Sequence, residues 1–194
     1  MSTLPTKRYT LQEYLALDRK AERKSEYFQG EIFQMAGASF AHNLIVANLL
    51  RELGNQLKGR NCIVVPSELR TKVDRTGLYT YPDALVVCDE PQFDDEHRDT
   101  ILNPTLIVEV LSDSTEGYDR GAKFGHYRKI ESLQQYVLIE QNRQHFEVYT
   151  RQPDDNWLLS EFEGAEATAS LSAIDCRLKL VEVYEKVTFE AAGQ

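Results

Sequence analysis

The run TLIVEVLS at residues 105–112 restricts the fold more than any other segment of the chain. Its apolar residues, Leu106, Ile107, Val108, Val110 and Leu111, fall on both parities, so a strand built from them has no polar face. Such a strand belongs in the middle of a sheet that is covered on both sides. Glu109 stands at its centre, where an ionised carboxylate costs several kcal/mol unless something compensates it. The run YPDALVVCD at 81–89 repeats the situation, with Asp83 at the head of Ala84, Leu85, Val86 and Val87. Pro82 cannot donate a ladder hydrogen bond and so marks a strand start or a bulge, a place where side chains are often re-aimed beside an active site.

Three compensators are open to these acids: a cationic side chain, a raised pKa or a metal ion. Arg70 and Lys123 are the candidate ion-pair partners. Carboxylate oxygens are also hard ligands suited to Mg²⁺ or Mn²⁺, ions that retain waters and bind substrate phosphate. Phosphodiester hydrolysis uses sites of that kind to activate water and to offset charge on the phosphate.

Around these two strands, the patterning predicts a single domain over residues 1–194, with no internal repeat and no linker. A short amphipathic helix is expected over 10–19, with Thr10 as N-cap and Glu13 completing a capping box. Gln29-Gly30 separates two strand-like runs and suggests a hairpin. Ile45, Leu49, Leu53 and Leu57 recur at helical spacing and predict a helix over 38–58. NCIVVPSELRTKV reads as one or two strands, 91–103 as a polar loop, and 119–130 as a helix with Phe124, Tyr127 and Ile130 on one face. YVLIE, HFEVYTR, WLLSEFEG and CRLKLVEV read as further β-structure. The pattern is therefore that of an α/β or α+β sheet with helices packed against it, an N-terminal hairpin and a β-rich C-terminal extension.

Composition narrows the function. No run approaches the ~20 apolar residues that span a bilayer, and the N-terminus lacks the apolar core of a secretory signal, which leaves the cytoplasm as the expected compartment and no membrane partner. Cys62, Cys88 and Cys176 lack zinc-ligand spacing and are expected as buried, reduced thiols. Four histidines show no HExxH pattern. The formal charge of −9 opposes a broad nucleic-acid-binding face, although a local basic strip can serve an acidic nuclease.

Asp83 behind Pro82, with Glu109 on the next strand, resembles the PD-(D/E)XK nuclease superfamily. The segments SEYFQGEIFQMAGAS, AHN, YTYPDALVVCDEPQF and NPTLIVEVLSDSTEGYDRGAKFGHYRKIESLQQYVLI are more specific. They resemble the large bacterial family of Uma-type "putative restriction endonucleases", through nearly the whole chain. The resemblance implies an α/β fold with a restriction-endonuclease-like core, a mixed β-sheet flanked by helices in the order α-β-β-β-α-β, and a Mg²⁺- or Mn²⁺-dependent endonuclease, with DNA favoured over RNA. It implies catalytic roles for Asp83, Glu109 and Lys123, and metal ligation by Asp83, Glu109 and Glu26. A homodimer is a further expectation from the superfamily.

The chain departs from the superfamily pattern at one place. The lysine expected two residues after Glu109 is Leu111, and Lys123 on the following helix is the substitute, orienting water or stabilising a phosphorane-like transition state. A solvated lysine, or one paired with Asp119 at i,i+4, is the alternative. His42 is read as a phosphate contact or a structural residue, Tyr118 and Tyr127 as packing residues, and Ser112 and Ser114 as local hydrogen-bonding groups. Two other functions stay open: a catalytically inactive nuclease-fold module for binding or regulation, and a phosphoesterase acting on small nucleotides.

Overall fold

The computed structural model describes residues 7–189. Its spine is a six-stranded sheet in the order β11-β10-β9-β8-β6-β3. β8 (Leu106–Leu111) lies antiparallel to β6 (Ala84–Val87) and parallel to β9 (Gln135–Glu140). A parallel pair requires a crossover, and here the chain crosses through α3 (Glu116–Tyr118), a π-helical turn (Asp119–Lys123) and α4 (Phe124–Tyr127). With α2 (Phe40–Leu57) and β3 (Ile63–Pro66) ahead of β6, the spine reads α-β-β-β-α-β. The antiparallel β10 (His145–Arg151) and β11 (Trp157–Glu163) extend it.

Both faces of β8 are covered. Leu106, Val108 and Val110 pack with Ile45, Leu49 and Leu53 of α2 on one side. Ile107 and Leu111 pack with Tyr127, Ile130 and Tyr136 on the other. At ~1.5–3 kcal/mol for each fully buried aliphatic side chain, the five apolar residues of β8 contribute on the order of 8–15 kcal/mol. That exceeds the several kcal/mol needed to hold one paired carboxylate among them.

A second sheet, β2-β1-β5-β4-β7, is built from β1 (Ser25–Phe28), β2 (Glu31–Gln34), β4 (Arg70–Val73), β5 (Leu78–Thr80) and β7 (Thr100–Ile101). The predicted hairpin joins β1 to β2, with Gln29 at φ 49° and Gly30 at φ 89°. Positive φ at both central residues gives the turn a twist that matches the strands. Thr10 and Glu13 form the expected capping box on α1 (Leu11–Asp18). Residues 81–83 carry the chain from β5 in the second sheet to β6 in the spine, which is why Asp83 sits where the two sheets meet.

Local pattern missed several features. The loop at 91–103 contains β7, and NCIVVPSELRTKV divides between the two sheets. The helix expected over 119–130 begins as a π-turn and is over by Tyr127. In CRLKLVEV only Cys176–Lys179 is a strand (β13, paired with β12, Thr168–Leu171), and Leu180–Val183 forms α5. Cys62 and Cys88 are joined by a disulfide, contrary to the expected free thiols. Antiparallel pairing of Ile63 with Val87 brings the adjacent cysteines together, although they are 26 residues apart in sequence. Cys176 is free and buried, as expected. No helix among the described residues is long and apolar enough to cross a membrane.

Candidate metal and phosphate centre

Asp83 is held from two sides through one oxygen. Its Oδ2 accepts the backbone N–H of Val110 at 2.8 Å and lies 3.1 Å from Nε2 of His42. The first bond ties the head of β6 to β8 immediately beside Glu109. The second comes from the first turn of α2, where Ser39 caps the helix by accepting the His42 backbone N–H at 3.0 Å. Facing a carboxylate, Nε2 carries the ring proton, and Nδ1 is buried without a partner.

Glu109 is 4% exposed. Its Oε1 accepts the Tyr127 hydroxyl at 2.8 Å and meets the Lys123 ammonium at 2.8 Å. Lys123 is equally buried and also lies 3.4 Å from Asp119 and 3.5 Å from Glu26. Glu26, on β1, accepts from the Thr80 hydroxyl and, at 3.2 Å, from the Tyr118 hydroxyl. The site is thus assembled from both sheets and the crossover helix. The π-turn supplies Asp119 and Lys123 one wide turn apart, and such turns occur often at functional sites.

Electrostatics follow from this crowding. Burial drives the Glu109 carboxyl well above the ordinary range; Lys123 pulls it back, and the charges of Asp119 and Asp83 push it up again. Asp119 is likewise raised, chiefly by burial. Burial disfavours the Lys123 ammonium, but Glu109, Glu26 and Asp119 outweigh it, and its pKa stands well above the usual lysine value. Three carboxylates therefore surround one ammonium, and the Asp83 charge acts on two of them, an excess of negative charge that a divalent cation would relieve. Asp83 and Glu109 each take their protein hydrogen bonds on a single oxygen, leaving Oδ1 and Oε2 without one among the described residues. This donor set fits a hard divalent cation.

Asp83 and His42 open onto a cleft of about 810 Å³ whose wall includes Arg19, Arg23, Lys24 and Arg70. Most of these cations are already paired. Arg70 binds Asp18 at 2.9 Å and Asp99 at 2.6 Å, Arg19 binds Asp95 and Asp99, and Lys24 binds Glu68. Exposed Arg23 makes no ion pair among the described residues. Arg70, a candidate partner for the strand carboxylates, is instead committed to Asp18 and Asp99. Lys123 does pair with Glu109, so the ion-pair reading and the site reading describe the same contact.

Glu109, Lys123 and Glu26 are in direct contact, and Asp83 stands beside them through its bond to the Val110 N–H while facing the cleft. Tyr118 and Tyr127, expected as packing residues, instead donate their hydroxyls to Glu26 and Glu109. The four-residue spacing of Lys123 and Tyr127, one helical face, was the available signal. Ser112 and Ser114 bond locally, as expected. A separate group, Glu140, His145 and Glu147, brings its ligand atoms within 4.8 Å of one another, but guanidinium groups already occupy its carboxylates.

Comparison with known proteins places this geometry in a wider set. A family model described as "Uma2: Putative restriction endonuclease" matches residues 11–180. The uncharacterized protein sll1609 of Synechocystis sp. is 41% identical over 172 residues, covering 89% of this chain and 97% of that protein. A second uncharacterized protein of the same organism, slr1290, is 34% identical over 185 residues, covering 95% and 96%. A crystal structure from Anabaena variabilis, described as a "putative nuclease belonging to DUF820", superposes with a TM-score of 0.74 at 21% identity. It covers 93% of this chain and 99% of its own, and it shows the same fold.

Proposed function

The chain belongs to the Uma2 family, and from that membership and the geometry around Glu109 we propose that it is a metal-dependent endonuclease hydrolysing nucleic-acid phosphodiesters, with DNA as the favoured substrate. The observation that carries this reading is the buried Lys123 ammonium, 2.8 Å from Glu109. It supplies from the crossover helix the cation that the strand lacks at Leu111.

Asp83 and Glu109 would hold Mg²⁺ or Mn²⁺ between the head of β6 and the middle of β8, with Glu26 as a further acid behind Lys123. A bound divalent cation supplies Lewis acidity to a phosphoryl oxygen and acidifies water. Lys123, kept protonated by its three carboxylates, acts as a donor and not as a base. Its N–H groups can hold an attacking water in line or stabilise charge on the phosphoryl oxygens as it develops. Tyr127 fixes the Glu109 carboxylate, and His42 with the Val110 N–H fixes Asp83. Both acids are therefore oriented before substrate arrives.

The test is incubation of supercoiled plasmid with Mg²⁺ or Mn²⁺. The expected result is nicking that vanishes in Asp83→Asn and Glu109→Gln and is absent in EDTA. Undiminished nicking in either variant would sink the assignment. A phosphoesterase acting on small nucleotides is the second reading, favoured by a cleft whose cations are mostly already paired. It predicts hydrolysis of short nucleotides and no plasmid nicking.

A further inference from the structure

Arg120 occupies the same π-turn as Lys123 but reaches away from Glu109, and the reading above gives it no role. Its guanidinium spans acids on three elements. Nη1 binds Glu116 of α3 at 2.8 Å, Nη2 binds Glu140 of β9 at 2.9 Å, and Nε binds Glu147 of β10 at 2.9 Å. The Glu147 side chain is 9% exposed, so this contact is largely removed from solvent. Arg143 takes the other oxygen of Glu140 at 2.6 Å, and His145 Nδ1 lies 3.2 Å from Glu140 Oε1. The Glu140, His145 and Glu147 cluster is thus a seat already filled by Arg120. From β9, Tyr136 also donates to the backbone carbonyl of Asp119 at 3.1 Å.

A π-turn has one residue more than a regular helical turn, is rare, and occurs mostly as a single turn within a helix. Relaxation to α-geometry would move the register by one residue and swing the following side chains by about 100°. Lys123 would then leave Glu109. We propose that Arg120 is a positioning residue: clamped to Glu140 and Glu147, it holds the π-turn that sets the Lys123 ammonium on Glu109. The consequence for catalysis rests on the nuclease reading; the placement of Lys123 does not.

Competitive labelling of lysine amines in the intact, metal-free protein, read by mass spectrometry, tests the placement directly. In the wild type, buried Lys123 should react far more slowly than exposed Lys20 or Lys129. Arg120→Gln should raise Lys123 labelling about tenfold or more, the scale of a local opening. Glu147→Gln, which cuts the same clamp from β10, should do likewise, and Arg120→Lys should restore protection in part. Lys72, half-buried in the second sheet, reports on the rest of the fold and should stay unchanged. In the cleavage assay, both glutamine variants should lower kcat about tenfold while KM stays within about twofold.

Unchanged protection of Lys123 in both variants overturns the proposal. So does deprotection of Lys72 together with Lys123, because Arg120 would then hold the whole fold and not the turn. If the wild type cleaves no nucleic acid while labelling follows the expected pattern, the nuclease reading falls and the clamp stands.

Discussion

Replacing Lys123 with methionine keeps an unbranched stem of similar length and removes only the charge. In the wild type the ammonium lies 2.8 Å from Glu109, with both side chains 5% exposed. Removing one partner of a buried ion pair costs about 3–5 kcal/mol, because the other charge is left unpaired. For a chain of this size that is a fall in Tm on the order of 6–20 °C, measured in EDTA at pH 8. The loss has a definite pH dependence. Glu109 already titrates above its ordinary range because of burial, and losing the cation raises it further. Between the unfolded and folded pKa values the folded protein binds the extra proton, so its stability falls as pH rises through that window. Lys123→Met should therefore be penalised less near pH 5 than at pH 8. Divalent metal acts in the opposite direction to the mutation. Without an ammonium competing for Glu109, the variant should bind Mn²⁺ more tightly, gaining about 2.7 kcal/mol at a hundredfold excess over Kd, while losing cleavage. Thermal melts with and without metal, together with calorimetric titration, provide the measurements. A loss under about 1 kcal/mol in EDTA, the scale of an exposed pair, or a loss independent of pH, would refute the burial argument.

Two further outcomes follow from contacts at the edges of the site. His42→Ala removes one of two groups fixing Asp83, and Mn²⁺ affinity by calorimetry should weaken about 10–100-fold, as for other outer partners of a metal ligand; unchanged affinity would show that the Val110 N–H suffices. Reduction of Cys62–Cys88, 26 residues apart, should lower stability by at most about 3.5 kcal/mol on the chain-entropy account. Melts with and without dithiothreitol check this, and a Cys62→Ser, Cys88→Ser variant should be insensitive to reductant.

The parts of this molecule legible in its sequence are those written in local pattern. The double-sided apolar run around Glu109 fixed the central strand, because side chains alternate faces with a period of two. Thr10 and Glu13 declared a helix start, and Gln29-Gly30 a hairpin. Contacts between distant segments carry no such signature. Arg70 could pair with any acid, and the fold brings it to Asp18 and Asp99. Cys62 and Cys88 meet only because β3 and β6 are antiparallel in one register. LVEV after Lys179 is too short for apolar period to separate strand from helix, and it folds as α5. The π-turn was equally hidden: its outside anchors, Glu140 and Glu147, lie on strands beyond the helix they hold.

Leu111 shows why the expected lysine could move without dissolving the site. Glu109 and Leu111 are two residues apart and project from the same face of β8. Leu111 is 3% exposed within the apolar cluster that includes Tyr127, Ile130 and Tyr136. An ammonium placed on that position would be buried among those groups, beneath the helix that packs there. Leucine supports the helix instead, and the helix delivers Lys123 to Glu109 from above. On the nuclease reading the chemistry calls for a cation within hydrogen-bond reach of that carboxylate, and the 2.8 Å contact would supply it. The strand position has been given to packing, and the charge has passed to the element that the packing holds in place.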